Sequence, residues 1–131
     1  MKYLLDTMVW LWSVGPTEKI GRSGLDILSN GEEELYLSAA SSWEIATKAR
    51  IGKFDLPEIP MQYVASRVIA QGIHPLSITQ SHALRVFDLP LHHKDPFDRL
   101  LISQAIAEGM TILTADRAFR KYPVELVWCG K

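Results

Sequence analysis

The stretch DPFDRLLISQAIAEGMTILTAD, running from Asp95 to Asp116, contains one whole helix and one whole strand with the signals that start and stop them. Asp95 followed by Pro96 is an N-cap with proline at the first helical position. Asp98, Leu101, Ile102 and Ala105 fall at i, i+3, i+4 and i+7, so they share one helical face. Gly109 is placed to end the helix at C′. Met110 to Leu113 is apolar on both faces, as a buried strand of a parallel sheet must be, and it stops at Thr114-Ala115-Asp116.

The same alternation extends outward. Tyr3-Leu4-Leu5 predicts a buried strand that ends at Asp6, and Thr7 to Ser13 a short helix closed by Gly15-Pro16. Leu25, Ile27 and Leu28 mark a weaker helical stretch ending near Asn30-Gly31. Leu35-Tyr36-Leu37 is a second strand. Ser41 is expected to open the next helix, with Glu44 three residues on in capping-box spacing and Gly52 as its stop. Met61 to Gln71 is helical and closes at Gly72. Ile73 to Ile78 carries Pro75, which confines it to an edge or a very short strand. Thr79 caps a helix holding Ala83, Leu84 and Phe87. A short helix near Ala118 to Lys121 and a last strand at Val124 to Trp128 complete the pattern. Strands alternating with helices predict a three-layer α/β fold around a parallel sheet.

Size and composition set the class. The 131 residues suit a single domain spanning 1–131, and 47% hydrophobic with 22% charged residues is globular. The net charge of −1 argues against a generally basic nucleic-acid glove. One cysteine, Cys129, excludes an internal disulfide and a cysteine zinc site. The run Met8 to Trp12 is too short for a signal or a membrane span. The expectation is a cytoplasmic protein with no membrane partner.

Phosphate-binding glycine loops, GxSxG elbows and HExxH spacing are all missing. His92-His93 reads as a polar loop pair. The carboxylates carry more. Asp6 and Asp116 each follow a buried strand, on the side where open parallel sheets bind ligands. Each also reads as a helix N-cap. Asp98 continues the buried stripe of its helix at the N-terminal end, where ionised burial needs a compensating donor or cation. Glu44 stands at the start of the helix after the second strand. Asp95 is the cap, adjacent to the site. Two charges about 4 Å apart at an effective dielectric near 20 repel by about 4 kcal/mol, so a four-acid cluster calls for a cation. All-oxygen ligands suit Mg²⁺ or Mn²⁺ and point to phosphodiester chemistry by metal-activated water.

Leu4-Leu5-Asp6-Thr7, Ser42-Trp43-Glu44-Ile45, Asp95 through Ile102 and Leu113-Thr114-Ala115-Asp116, in this order, resemble a PIN domain of the kind found in VapC-type toxins of bacterial toxin–antitoxin pairs. The resemblance covers nearly the whole chain. It implies strand order 3-2-1-4-5, a Mg²⁺- or Mn²⁺-dependent endoribonuclease, an RNA substrate, a cognate antitoxin and homodimers. Asp6, Glu44, Asp98 and Asp116 match the family's catalytic, metal-binding quartet. Thr7 and Thr114 match hydroxyl residues that accompany its first and last acids.

Local charge fits a phosphate-bearing substrate. The segment Glu44 to Lys53 and the segment Asp116 to Lys131 each carry +2. Lys48, Arg50, Arg99 and Arg117 are the candidate RNA contacts. Trp10, Trp12 and Trp43 read as core or interface, and the first two suggest a dimer surface near the first helix. Two alternatives stay open on the residues alone. One is a receiver-like Mg²⁺-binding signalling module, although Asp6 stands alone after the first strand. The other is a catalytically inactive PIN-like RNA-binding module.

Overall fold

The computed structural model describes residues 1–131. Its strands are β1 (Lys2–Leu5), β2 (Glu34–Ser38), β3 (His74–Leu76), β4 (Thr111–Thr114) and β5 (Leu126–Trp128). They form one sheet in the order β3-β2-β1-β4-β5, and every neighbouring pair is parallel. Leu4 registers with Tyr36 on one side and Ile112 on the other. The order implied by the resemblance is the order found. It differs from the 2-1-3-4-5 order of receiver modules, which removes that alternative.

The helices are α1 (Thr7–Ser13), α2 (Arg22–Ser29), α3 (Ala39–Arg50), α4 (Pro60–Gln71), α5 (Gln80–Leu84) and α6 (Pro96–Glu108). Short 3₁₀ turns lie at Thr17–Lys19, Arg85–Asp88 and Arg117–Lys121. Side chains alternate across the strands, so β1 feeds two cores. Tyr3 and Leu5 join Val9, Trp10, Leu37, Ile45 and Tyr63 on one face. Leu4 joins Leu101, Ile102, Ala105, Ile112 and Phe119 on the other. Gly72 and Gly109 end α4 and α6 in the left-handed conformation that favours glycine.

Two expectations need correcting. Ser41 does not start α3. Ser38 caps it by accepting from the Ala40 N–H, and Ser41 is already inside the helix, where its Oγ accepts from the Thr7 hydroxyl at 2.9 Å. Glu44 is therefore not a capping-box partner and is released for the site. Trp10 is not a dimer surface. It is fully buried, edge-on to Tyr63 at 6.1 Å, and its Nε1 donates to Gln71 Oε1 at 2.9 Å. Burying the indole gains hydrophobic stability only because Gln71 satisfies its N–H.

The C-terminal strand is tied to α2. Gly21 N–H donates to Cys129 O, and a Cβ at Gly24 would stand 2.7 Å from Cys129 Sγ. No helix of the structure is long and apolar enough to cross a membrane.

Because Trp10 fills the core, Trp10→Ala should cost about 3–5 kcal/mol. Phe87→Ala, at a residue 92% exposed in the Arg85–Asp88 turn, should stay within about 0.5 kcal/mol. Urea unfolding measures both, and similar midpoints for the two variants would contradict this packing.

Candidate active site

Connections leave β1 in opposite directions: β2 and β3 lie on one side of it, β4 and β5 on the other. The crevice between β1 and β4, beyond the strands' C-terminal ends, is the topological switch point where such sheets bind ligands. An open pocket of about 880 Å³ lies at this edge, lined by Asp6, Thr7, Glu44, Asp95, Asp98 and Asp116. Lys48 and Arg117 line it too, with Lys19 and Lys131 as further bases. Met8, Trp12 and Trp128 contribute apolar surface.

Local folding places each acid. Asp6 caps α1: its Oδ1 accepts from the Val9 N–H at 2.8 Å. Its Oδ2 accepts from the Thr114 hydroxyl at 2.5 Å, across the β1–β4 gap. The same Thr114 Oγ1 accepts from the Asp116 N–H at 3.0 Å. One buried hydroxyl thus sets two of the acids. Asp116 caps the following 3₁₀ turn through Ala118 N–H. Asp95 caps α6 by accepting from Phe97 and Asp98 N–H, and Asp98 sits in the helix's first turn. Capping and site membership coincide here; the two readings do not compete.

Electrostatics shows the strain of this gathering. Burial pushes the Asp6 carboxyl up to about 6, against the pull of the Thr114 and Val9 hydrogen bonds, and the Asp116 and Glu44 charges add to the rise. Burial again leads at Asp98, which the charges of Asp95, Asp116, Asp6 and Glu44 help push up to about 8. Glu44 is buried. Its Oε2 accepts from the Lys48 ammonium one helical turn on, while its Oε1 is buried with no hydrogen-bond partner. Burial works to lower the Lys48 pKa, but the bond and charge of Glu44 outweigh it and hold it above the ordinary value.

The arrangement fits a hard divalent cation in its chemistry. All the acids are oxygen donors, one buried oxygen is orphaned, and the repulsion is of the kind a cation relieves. The side chains as placed do not converge on one point; no three Asp, Glu, His or Cys groups already form an ion cage. An ion would have to draw the carboxylates inward.

The remaining sequence candidates divide. Lys48 and Arg117 face the pocket, whereas Arg50 is exposed and does not line it. Arg99 is no RNA contact. It is buried, with its Nη1 donating to Pro90 O at 2.8 Å and Tyr122 Oη at 3.2 Å, and its Nη2 donating to Val86 O at 3.2 Å. Its guanidinium holds the loop before α6. His93, read from the sequence only as half of a polar loop pair, contacts Asp98: its Nε2 lies 3.3 Å from Asp98 Oδ2. The five-residue spacing of His93 and Asp98 across the α6 cap was the available signal. Trp43 is 53% exposed and packs edge-on against Phe97 at 4.6 Å.

The comparisons with known proteins agree with this fold. A family model described as the PIN domain matches residues 3–125. Ribonuclease VapC22 of Mycobacterium tuberculosis is 27% identical over 120 residues, covering 91% of this chain and 90% of that protein. Ribonuclease VapC16 of the same organism is 41% identical over 56 residues, a match that spans 43% of this chain and 40% of that protein. Among solved structures, VapBC2 from Rickettsia felis, bound to a DNA fragment from its promoter, aligns with a TM-score of 0.71 at 16% identity. That alignment covers 97% of this chain and 98% of the matched one, and it shows a shared fold.

A raised carboxyl pKa has a definite sign for stability. Between about 4 and 8 the folded protein holds a proton at Asp98 that the unfolded chain has released, so stability falls as pH rises through this window. Asp6 adds the same trend up to about 6. Metal-free protein in EDTA should therefore melt lower at pH 8.5 than at pH 6. Asp98→Asn should remove most of that difference. A wild-type melting temperature that rises over this range would contradict the electrostatics described.

Proposed function

The chain belongs to the PIN domain family, and from that premise we propose that it is the toxin of a type II toxin–antitoxin system: a Mg²⁺- or Mn²⁺-dependent endoribonuclease. The observation that carries this reading is Asp6, Glu44, Asp98 and Asp116 on one pocket at the β1–β4 switch point, with the buried Glu44 Oε1 unpartnered. The VapC names of its relatives support the activity, and the VapBC complex among its structural neighbours supports an antitoxin partner.

Asp6, Glu44, Asp98 and Asp116 would hold the ion. When bound, it supplies an activated water and neutralises charge developing on the scissile phosphate. The protein's own groups do the rest. Thr114 fixes Asp6 and the backbone of Asp116. Lys48 balances Glu44, so the site is not four bare charges. Asp95 holds the start of α6 and with it the height of Asp98. An acidic pocket repels RNA unless bases flank it. Lys19, Arg117 and Lys131 on its lining would take the phosphates on either side of the cleaved bond.

A homodimer is part of the same proposal. Its support is the exposed apolar surface of Ile59, Met61 and Ile69 in and beside α4. Light scattering at micromolar concentration should show about twice 14.8 kDa. A species of single-chain mass would reject it.

Three measurements test the enzyme. Cleavage of a fluorogenic RNA should need Mg²⁺ or Mn²⁺ and stop with EDTA. Asp6→Asn, Asp98→Asn and Asp116→Asn should each lose roughly 100-fold or more in rate while staying folded, because each removes a ligand charge. Asp95→Asn should lose much less, since an amide still caps the helix. Metal at 100 times its Kd should raise stability by about 2.7 kcal/mol. Full cleavage activity in Asp98→Asn, or in EDTA, would overturn the proposal; intact metal-free folding with bound RNA and no cleavage would favour an inactive binding module.

A further inference from the structure

Four side chains run in a line from the core to the pocket: Arg99, Tyr122, His93 and Asp98. Arg99 Nη1 lies 3.2 Å from the Tyr122 hydroxyl, and the His93 backbone N–H lies 3.3 Å from the same oxygen. His93 Nδ1 is 2.6 Å from that hydroxyl, and His93 Nε2 is 3.3 Å from Asp98 Oδ2. The directions of these hydrogen bonds follow from chemistry. A guanidinium and a backbone N–H can only donate, so together they fill both acceptor sites of the Tyr122 oxygen. Its single hydrogen must then go to His93 Nδ1. A neutral imidazole that accepts at Nδ1 carries its proton at Nε2, and Nε2 faces Asp98.

We infer that His93 is a positioning residue for Asp98: the Arg99–Tyr122 pair locks its Nε2–H tautomer, and that N–H pins one Asp98 oxygen so that the other is presented to the pocket. The inference rests on the metal-site reading above and deepens it. The chain of donors begins at a residue that cannot reverse direction, because a guanidinium only donates, and Arg99 is held in place by Val86 O and Pro90 O. Tyr122 and Arg99 are both buried, which keeps competing water from the middle of the line. His92 packs edge-on against the Tyr122 ring at 5.0 Å. A ligand carboxylate free to rotate must be ordered each time an ion binds; one pinned in advance does not.

Two measurements separate this role from a structural one. Long-range ¹H–¹⁵N spectra of metal-free protein should show His93 as the Nε2–H tautomer, and Tyr122→Phe should return it to a mixture. Calorimetric titration with Mn²⁺ alone should show about tenfold weaker binding in His93→Ala. His93→Gln, whose amide can donate from near the same place, should recover most of that loss. An Nδ1–H tautomer in the wild type, or Mn²⁺ binding in His93→Ala within twofold of the wild type, would overturn the inference. A wild type that binds no Mn²⁺ would overturn the metal reading itself, and the inference with it, whatever the tautomer.

Discussion

A carboxylate buried between two parallel strands is the constraint on which this site depends. Asp6 leaves β1 at the point where β4 closes against it, where it is only 5% exposed. It is tolerable there because one oxygen takes a backbone N–H of α1 and the other takes the Thr114 hydroxyl. Those two bonds also fix where α1 begins and how β4 ends. Remove either donor and the acid either protonates or turns outward, and the geometry of the pocket goes with it.

The architecture supplies further acids by the same route. In a parallel sheet, helices begin where strands end, so helix N-termini collect at one edge. An N-cap wants a small oxygen-bearing side chain, and a helix N-terminus favours negative charge. Asp6, Asp95 and Asp116 each cap a helix or a 3₁₀ turn at this edge, and Asp98 lies in the first turn of α6. Local stability and a cation-binding pocket therefore ask for the same residue at the same place. The cost appears as mutual repulsion, expressed in the raised pKa values of Asp6 and Asp98. Lys48 offsets part of it at Glu44.

Sequence periodicity carries the elements well where the burial is one-sided or complete. The apolar runs at Tyr3-Leu4-Leu5 and Met110 to Leu113 predict the two central strands to within a residue, and the Asp95-Pro96 to Gly109 signals delimit α6. The four acids are legible because strand ends in an α/β sheet are legible. What the sequence hides is side-chain direction. Ser41 and Glu44 have capping-box spacing, yet helix α3 starts earlier, at the equally suitable cap Ser38. Arg99 follows Asp98 and looks like a rim base, yet its face of α6 turns inward to three oxygen acceptors. Trp10 looks like surplus apolar bulk until Gln71, 61 residues away, is seen to satisfy its N–H. His93 gains its meaning from Tyr122, 29 residues later. Apart from the α3 start, where two nearby serines compete as caps, each of these readings turns on a partner elsewhere in the chain, which no local pattern reports.

The bond from Thr114 to Asp6 joins residues 108 positions apart, and β1 at the start of the chain pairs with β4 near its end. Such non-local closure is slow to form and late in the order of assembly. In chain order β1 and β2 both precede β4, so the edge of β1 that β4 covers has no partner until β4 is made. Thr114 and Asp116 reach it only after every element from β1 to α6 has been made, and α2 receives Cys129 later still. The acid pocket thus does not exist on a nascent chain until Thr114 and Asp116 have been made: before that point the protein has no complete site with which to act on anything nearby.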